Sequence, residues 1–285
     1  MFSRFTGRPL QMAVAAGAVA VLAAGCGASH SGAAPRPSGS TSAQTAQQAI
    51  QLAAKNAQLA KSFSATFSMH VNGPSPLDAS GTMRETSTPS LLADANFPTF
   101  SAAGHTLPGG MEEILTSSAI YIRMGAFTQM TGKTWIKLPY SEISRATGGL
   151  NLSQLVQQAQ SSSPLVQTQM LAGATDVRVV GHGVIDGVPV TEYSGSYAMA
   201  AAMARLPASF RAKFGQAIER AGIGSADFKV WLDDQHQARK VVVTEDGSTM
   251  TETITMVVTS VNQPVTVQLP PASETATIPA SALKG

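Results

Sequence analysis

Hydrophobic and polar residues alternate along much of the chain, with the period of two that is typical of half-buried β-strands. The clearest run extends from Phe63 to Val71, where every second side chain is apolar and the intervening ones are polar. Similar alternation predicts further strands at Leu77–Met83, Leu91–Phe97, Glu112–Thr116, Ala119–Met124, Thr134–Leu138, Val177–Gly181, Val188–Ser194, Phe228–Leu232, Ala238–Glu245, Met250–Val261 and Val265–Leu269. Tight-turn sequences such as Ile185-Asp186-Gly187 predict antiparallel hairpins between neighbouring strands.

Three stretches instead repeat apolar residues at helical spacing. The first is a helix that Thr41 or Ser42 could cap and that ends near residue 61. The second spans residues 151–172, and the third spans residues 197–220, where Pro207 divides it into two helices. The order helix, strands, helices, strands, helices, strands predicts an α+β fold with one large antiparallel sheet and helices on one of its faces.

The amino-terminal segment has a pattern of its own. Arg4 and Arg8 precede an apolar run from Met12 to Ala24, which has the length of a signal-peptide core and is short for a membrane span. The run ends in Leu22-Ala23-Ala24-Gly25-Cys26, which resembles the lipobox of bacterial lipoproteins. The resemblance implies that the signal peptide is cleaved before Cys26, which is acylated. An ordinary secretory peptide is the alternative.

These boundaries divide the chain into three parts. Residues 1–25 are the predicted lipoprotein signal peptide, and residues 26–42 are the acylated cysteine with a tether rich in Ser, Gly, Ala and Pro. Residues 43–285 are predicted to form a single lipid-binding-like α+β domain with a Pro-rich carboxyl-terminal end. We therefore expect a monomer held at the outer face of the cell membrane by its acyl chains.

The charge and the cysteine content exclude one class of function and one source of stability. The two arginines of the predicted signal peptide account for the whole formal charge of +2, so the mature protein is formally neutral and is not expected to bind nucleic acid. Because Cys26 is the only cysteine, no intramolecular disulfide can form. The domain must therefore be stabilised by the burial of apolar surface.

Catalytic signatures are missing from the sequence. It contains no Gly-x-Ser-x-Gly elbow, no His-Glu-x-x-His motif and no phosphate-binding glycine loop followed by Lys-Ser or Lys-Thr. We expect no enzymatic activity, no cofactor and no metal, with a hydrolase assembled from distant residues as the alternative. The pair Asp233-Asp234 could suggest metal ligands, but a polar Asp-Asp-Gln-His run after an apolar strand is more typical of a hairpin turn.

Three segments resemble the LppX and LprG lipoproteins of actinobacteria, which are relatives of the LolA carrier fold. They are Gly181–Gly195, then Phe228–Asp234 with Arg239–Val241, and finally Asn262–Pro271, where Asn262 or Gln263 replaces the usual glycine. The resemblance implies a strongly curved antiparallel sheet, half of a barrel, that wraps over helices and encloses an apolar cavity. It also implies that the protein carries lipids or lipid-linked molecules across the cell envelope.

The candidate lining of such a cavity is a set of small and adaptable apolar residues on the predicted strands. These candidates are Phe67, Met69, Leu91, Ala93, Ala95, Phe97, Ile254 and Met256. The same residues could fill a core, and the residues alone leave both alternatives open, although the resemblance favours a cavity. We predict a lipoprotein that binds an acyl lipid or glycolipid and carries it. The alternative is a ligand-free structural or regulatory surface module that binds a protein partner.

Three hypotheses concern the rim of the cavity. The segment Pro98–Gly110 and the helix pair around Pro207 are the candidate moving cover. Arg211 and Lys213 form part of a basic helix side that could face anionic headgroups, the alternative being a solvated surface. Glu252, on an otherwise apolar strand face, could lie at the cavity mouth, pair with an arginine or mark an exposed strand end.

Overall fold

The structure is a computed structural model that describes residues 45–146, 171–204 and 222–279. The predicted signal peptide, Cys26 and the tether lie outside the described residues. So do residues 151–170 of the second predicted helical stretch, and residues 205–221, which include Pro207, Arg211 and Lys213.

The first helix, α1, spans Ala46–Leu59 and begins later than the sequence predicts. Its N-cap is Thr45, whose hydroxyl accepts a hydrogen bond from the Gln48 backbone N–H at 3.2 Å. The Gln48 side chain in turn accepts from the Thr45 N–H at 2.9 Å. This reciprocal capping box satisfies two backbone donors, so the prediction of a cap at Thr41 or Ser42 is wrong.

The other elements alternate short helices with strands. The strands are β1 (Ser62–Asn72), β2 (Leu77–Thr86), β3 (Leu92–Ala102), β4 (His105–Thr106), β5 (Met111–Thr116), β6 (Ala119–Met124), β7 (Trp135–Pro139), β8 (Thr175–Ile185), β9 (Val188–Ala198), β10 (Ser225–Leu232), β11 (Ala238–Asp246), β12 (Thr251–Val261) and β13 (Thr275–Thr277). The other α-helices are α2 (Gly125–Thr131), α3 (Tyr140–Ala146) and α4 (Met199–Ala204). Leu171–Gly173 and Ala272–Glu274 are single 3₁₀ turns.

All described strands belong to one sheet. Its order is β13-β7-β6-β5-β3-β2-β1-β12-β11-β10-β9-β8, and β4 pairs with β3. Two antiparallel meanders, β1 to β7 and β8 to β12, are joined where β1 pairs with β12. The β13–β7 pair is parallel. The sheet is curved and unclosed, which confirms the predicted α+β class with a strongly curved antiparallel sheet.

The packed core lies on the sheet face that α1 covers, which we call the inner face. Helix α1 buries Ala49, Ile50 and Ala53 against it. The largest contributors from the sheet are fully buried side chains such as Phe228, Val230 and Leu232 on β10, Val241 on β11 and Met256 on β12. Each large apolar side chain buried in this way contributes about 1.5–3 kcal/mol, so this cluster is the main source of stability among the described residues.

The tight turn predicted at Ile185-Asp186-Gly187 is confirmed. Asp186 and Gly187 adopt φ values of 49° and 80°, the positive values that a two-residue hairpin of the primed type requires. Asn262 also has a positive φ, of 56°, and its side-chain oxygen accepts a hydrogen bond from the Lys61 N–H at 2.7 Å. An asparagine tolerates this conformation, which explains how it replaces the glycine expected in the closing segment.

The predicted loop at Pro98–Gly110 is largely part of the sheet. Strand β3 continues to Ala102 and folds back as a hairpin onto β4. β3 continues past Pro98 because its pairing with β2 shifts register at this point, beside Gly81. Only glycine fits there, since a Cβ atom at this position would lie 1.8 Å from the Asn96 carbonyl oxygen. This register shift is a β-bulge, and Pro98 lies in it, where its missing N–H breaks no hydrogen bond between the strands. The loop prediction is therefore wrong here.

Two other predictions need correction. Tyr197, predicted to begin a helix, belongs to β9 and pairs with Ala226 of β10. The predicted strand Val265–Leu269 has no regular structure, since Pro264 and Pro270 enclose it and cannot donate to a ladder. The chain pairs later, through β13.

Candidate ligand-binding face

The strand register shows how far the inner face extends. Ala65, which lies in the packed core, is opposite Met83 on β2, and Met83 is opposite Ala95 on β3. The same row continues through Glu113 on β5 to Ile122 on β6. Residues directly opposite each other in an antiparallel pair share a face. The face that α1 covers near β1 therefore continues across β2, β3, β5, β6 and β7.

The two halves of this face differ in burial. On β10, β11 and β12 most inward apolar side chains are buried and belong to the packed core. The described cluster of that core reaches Met83 and includes no residue of β3 or β5 to β7. On the other half, ten inward apolar side chains are only half-buried, although Ala79, Met124 and Ile136 on the same face are buried. We call the ten half-buried residues the apolar patch: Phe67, Met69, Ala93, Ala95, Phe97, Met111, Leu115, Ile120, Ile122 and Leu138.

Five of the eight predicted lining residues meet in the apolar patch. Phe67 and Phe97 form an edge-to-face contact with ring centroids 5.8 Å apart, and Met69, Ala93 and Ala95 share their face. The structure therefore brings together residues from β1 and β3 that are 24 to 30 positions apart in the chain.

The remaining three candidates are fully buried. Ile254 lies opposite Met69, and Met256 lies opposite Phe67 and belongs to the packed core. Leu91 immediately precedes β3 and is 7% exposed. The lining role of all eight residues stays a prediction.

Half of the apolar patch comes from residues that the sequence analysis did not single out. Met111 and Leu115 on β5 oppose Met124 and Ile120 on β6, and Leu138 on β7 follows in the Ile120 row. Their strands were predicted, but alternation alone does not say which of two partly apolar faces points inward. The register with β3 supplies that information.

Glu113 is a carboxyl group in the middle of this apolar face. It lies between Ala95 on β3 and Ile122 on β6. Burial raises the pKa of Glu113 above its ordinary value, because a charged carboxylate loses solvation among apolar neighbours. Its chain neighbour Glu112 points to the opposite face, where it binds Arg123 at 2.6 Å.

Tyr140, which follows β7, is a second buried residue with a polar side chain in this half of the molecule. It is the first residue of α3, its backbone N–H donates to the Ser118 carbonyl at 3.0 Å, and it is 1% exposed. Within the described part of the chain its Oη has no hydrogen-bond partner. Burial, and next the charge of Glu113, raise the pKa of Tyr140 to about 12.

A second set of polar residues lies on the inner face, where β11 ends and β12 begins. Glu245 and Glu252 lie directly opposite each other. Burial, and next the charge of Glu252, raise the pKa of Glu245 to about 7, and burial raises the pKa of Glu252. Burial, followed by the charges of both glutamates, also raises the pKa of nearby Tyr197. Glu252 is the second residue of β12 but is not exposed, so it does not mark an exposed strand end, and its other considered roles stay predictions.

The outer face carries ordinary ion pairs and ring contacts. Arg84 pairs with buried Asp94, and Arg123 lies over the Trp135 ring at 5.8 Å. Lys240 lies over the Trp231 ring at 4.8 Å, so Trp231 faces away from the apolar patch. Within residues 45–146, 171–204 and 222–279, no cluster of His, Asp or Glu is placed to hold a metal ion.

The fold and the inner face together define an α+β protein built on an open, curved antiparallel sheet, one face of which carries the apolar patch. No family model matches the sequence. An uncharacterized 31.2 kDa protein from the rplA-rplJ intergenic region of Streptomyces griseus is 31% identical over 105 residues. That match covers 36% of this chain and 34% of the relative, about a third of each protein.

Several solved structures are similar to this chain. LprF from Mycobacterium bovis has a TM-score of 0.48 and 16% identity, over 79% of this chain and 96% of LprF. The lipoprotein LppX from Mycobacterium tuberculosis has a TM-score of 0.44 and 13% identity, over 78% and 98%. A LolA superfamily protein from Nitrosomonas europaea has a TM-score of 0.27 and 10% identity, over 80% and 96%. These proteins include the lipoprotein group that the sequence resembles, and the likeness concerns the fold alone.

In the part of the chain that the structure describes, no helix has the length and apolar character needed to cross a membrane.

Proposed function

We propose that this protein is a lipid carrier of the cell envelope, which binds an acyl lipid or glycolipid against the apolar patch without altering it. The observation that carries the proposal is the contrast in burial across one continuous sheet face. The half beside α1 is filled, whereas the ten apolar side chains of the patch stay accessible. A contiguous accessible apolar surface is the usual property of a site that binds a hydrophobic molecule.

The free energy of moving a lipid chain between a bilayer and the apolar patch is compatible with a carrier function. Each CH₂ group of a lipid chain that left apolar surroundings for water would cost about 0.8 kcal/mol. A chain that moves from a bilayer to the apolar patch avoids this cost, because it exchanges one apolar environment for another. The free-energy difference between the two sites is then small, so the protein can release what it binds.

The proposal includes the place of action. The lipobox-like sequence at Leu22–Cys26 supports acylation of Cys26 and anchoring at the outer face of the cell membrane. The tether of residues 26–42 would allow the domain to reach the bilayer from which its ligand comes.

Native mass spectrometry of the protein purified from its own or a related host tests the proposal directly. We expect a stoichiometric adduct whose mass is recovered as a lipid after organic extraction. A clean protein mass that does not change after incubation with host lipid extract would contradict the proposal.

Substitution within the apolar patch gives a sharper test. Ala95→Trp places an indole beside Phe97 and Met83 and should displace about two CH₂ groups of a bound chain, so we expect about a tenfold loss of lipid affinity. The measurement is displacement of a neutral fluorescent probe by a lipid. Ala126→Trp, on the exposed surface of α2, is the matched control and should bind as the wild type does. Equal affinities of the two variants would place the ligand elsewhere.

One observation favours the alternative, a module that binds a protein partner. Strand β8 is an edge of the described sheet, and it exposes Val179, Val180 and Val184 at 50%, 49% and 67%. An accessible edge strand with apolar side chains can accept a strand from another protein. The native mass spectrum separates the candidates, since this alternative predicts no lipid adduct.

A further inference from the structure

Two loop segments and a short helix meet at one end of the sheet, where β1 and β6 end and β5 begins. They are residues 72–76, residues 103–110 and Gly125–Thr131, which is α2. The Ala103 backbone N–H donates to the Pro76 carbonyl at 2.7 Å, which joins the first two segments. A Cβ atom at Gly125 would lie 3.3 Å from the Pro108 carbonyl oxygen, so α2 contacts the second segment. We call this continuous surface the uncharged rim.

The composition of the uncharged rim separates it from its surroundings. Its three segments contain no Asp, Glu, Lys or Arg, although these residues make up 13% of the chain and favour exposed positions. Met130 is 76% exposed, the highest value among the large apolar side chains of the described residues. Leu107 and Phe127 add half-buried apolar side chains. Exposed charges return on either side of the rim, at Asp246 in the β11–β12 turn and at Lys133 after α2.

The opposite end of the sheet has a different surface. Its turns carry exposed charged side chains at Lys61, Asp186 and Asp234. A charged side chain that enters a bilayer loses its hydration, which is costly, whereas an apolar side chain gains from leaving water. Of the two ends, the uncharged rim is therefore the one suited to a lipid surface.

The uncharged rim borders the apolar patch. A Cβ atom at Gly110, the last residue of the second segment, would lie 2.1 Å from the carbonyl oxygen of Phe97 in the patch. Met111, also in the patch, follows Gly110 directly and pairs with Met124, which directly precedes α2. A lipid chain that left a bilayer at the rim would therefore meet the apolar patch next.

The chain enters the domain at the same end of the sheet. Thr45 is the N-cap of α1, and the Gln47 side chain donates to the Ala174 carbonyl at 3.2 Å. Ala174 directly precedes β8, and the registers place the start of β8 at the end of the sheet where β12 begins and β1 ends. A membrane anchor at Cys26 is thus connected to the end that carries the uncharged rim.

We propose that the uncharged rim docks on the membrane surface with Met130 inserted among the lipids, so that the apolar patch opens toward the bilayer. This inference rests on the proposed anchoring at Cys26 and adds an orientation to the proposed function. Docking by a surface without charges depends on the burial of apolar area. It should therefore need no anionic lipid and should not weaken with added salt.

A fluorescent label on a chain held at a vesicle tests this orientation. The chain from residue 26 onward is made with Cys26→Ser and an amino-terminal hexahistidine tag, and a nickel-chelating lipid in phosphatidylcholine vesicles replaces the acyl anchor. Because Cys26 is the only cysteine, Gln129→Cys in the rim and Asp234→Cys at the opposite end each create a single site for the dye NBD. We expect a blue shift and quenching by a spin-labelled lipid at position 129 and neither at position 234.

A charge in the rim should weaken docking. Met130→Asp removes the most exposed apolar side chain, and we expect the equilibrium constant for insertion of the position-129 label to fall at least about tenfold. Val184→Asp is the matched control, because Val184 is 67% exposed but lies near the opposite end, where it pairs with Pro189. This variant should insert as the wild type does.

The outcomes separate this inference from the proposed function. Equal signals from the labels at positions 129 and 234, or equal insertion of Met130→Asp and the wild type, would overturn docking by the rim. A signal that requires phosphatidylglycerol, or that salt abolishes, would also overturn it. Native mass spectrometry of the same chain supplies the second readout. A lipid adduct without a rim signal would overturn the docking surface and leave the carrier function. A rim signal without an adduct would overturn the carrier function and leave the docking surface.

Discussion

Asp233→Ala is expected to lower the free energy of unfolding by about 3–5 kcal/mol, the usual cost of removing one partner of a buried ion pair. The Asp233 side chain is 2% exposed. Its Oδ1 accepts from the backbone N–H groups of Gln235 at 3.0 Å and Gln237 at 2.9 Å. Its Oδ2 accepts from Arg239 Nε at 2.8 Å, and Arg239 Nη2 lies 2.7 Å away. The substitution therefore leaves several donors unpaired.

The turn that Asp233 organises also holds α1 in place. The Asn56 side chain of α1 donates to the carbonyl oxygens of Gln235 at 2.9 Å and His236 at 3.3 Å. His236 is held at a φ of 58°, which the bonds from Asp233 help to stabilise. Loss of the turn should therefore loosen the packing of α1 on the inner face.

Urea denaturation followed by circular dichroism measures this effect. Asp234→Ala is the matched control, since Asp234 is the adjacent residue and is exposed. Its free energy of unfolding should lie within about 0.5 kcal/mol of the wild type. Similar losses for the two variants would mean that the buried hydrogen bonds of Asp233 do not determine the stability of the turn.

The same turn shows what the sequence could and could not predict. The polar Asp-Asp-Gln-His run after an apolar strand predicted a hairpin turn, and the structure has one between β10 and β11. The burial of Asp233 and the exposure of Asp234 were not predictable. They depend on Arg239, which reaches Asp233 only after β11 has paired with β10.

Most strands were predictable because their period of two needs no knowledge of the partner strand. The errors lie where pairing decides the structure. The β2–β3 bulge carries β3 past Pro98, and β13 pairs with β7 from a distant part of the chain. Helices α2 and α3 have seven residues each, which is too short for a helical repeat to be recognised.

The candidate site was only partly predictable for a related reason. Phe67, Ala95 and Phe97 follow clear alternation, so their common face could be proposed. The dipeptide Glu112-Glu113 gives no such indication, because both residues are charged. Only the register shows that Glu112 points outward to Arg123 and that Glu113 lies among apolar residues. Tyr140 follows a proline at the end of β7, where no strand pattern applies.

Stability should fall by about 3 kcal/mol as the pH rises from 5 to 8, largely because of Glu245. Its pKa is about 7 in the folded protein, against an ordinary value of 4.5, because of its burial and the facing Glu252. Over that interval the folded state retains a proton that the unfolded state has lost. The stabilisation is fully present below pH 4.5 and disappears as the pH passes 7, at about 1.4 kcal/mol for each unit of the shift.

Urea denaturation at several pH values tests this expectation. Glu245→Gln should raise stability at pH 8 and remove most of the slope, because an amide keeps the shape of the carboxyl group without its charge. Glu252→Gln removes the facing charge but not the burial of Glu245, so the slope should persist at lower pH. A stability that increases from pH 5 to pH 8, or an unchanged slope in Glu245→Gln, would contradict a buried and protonated Glu245 at this end of the inner face.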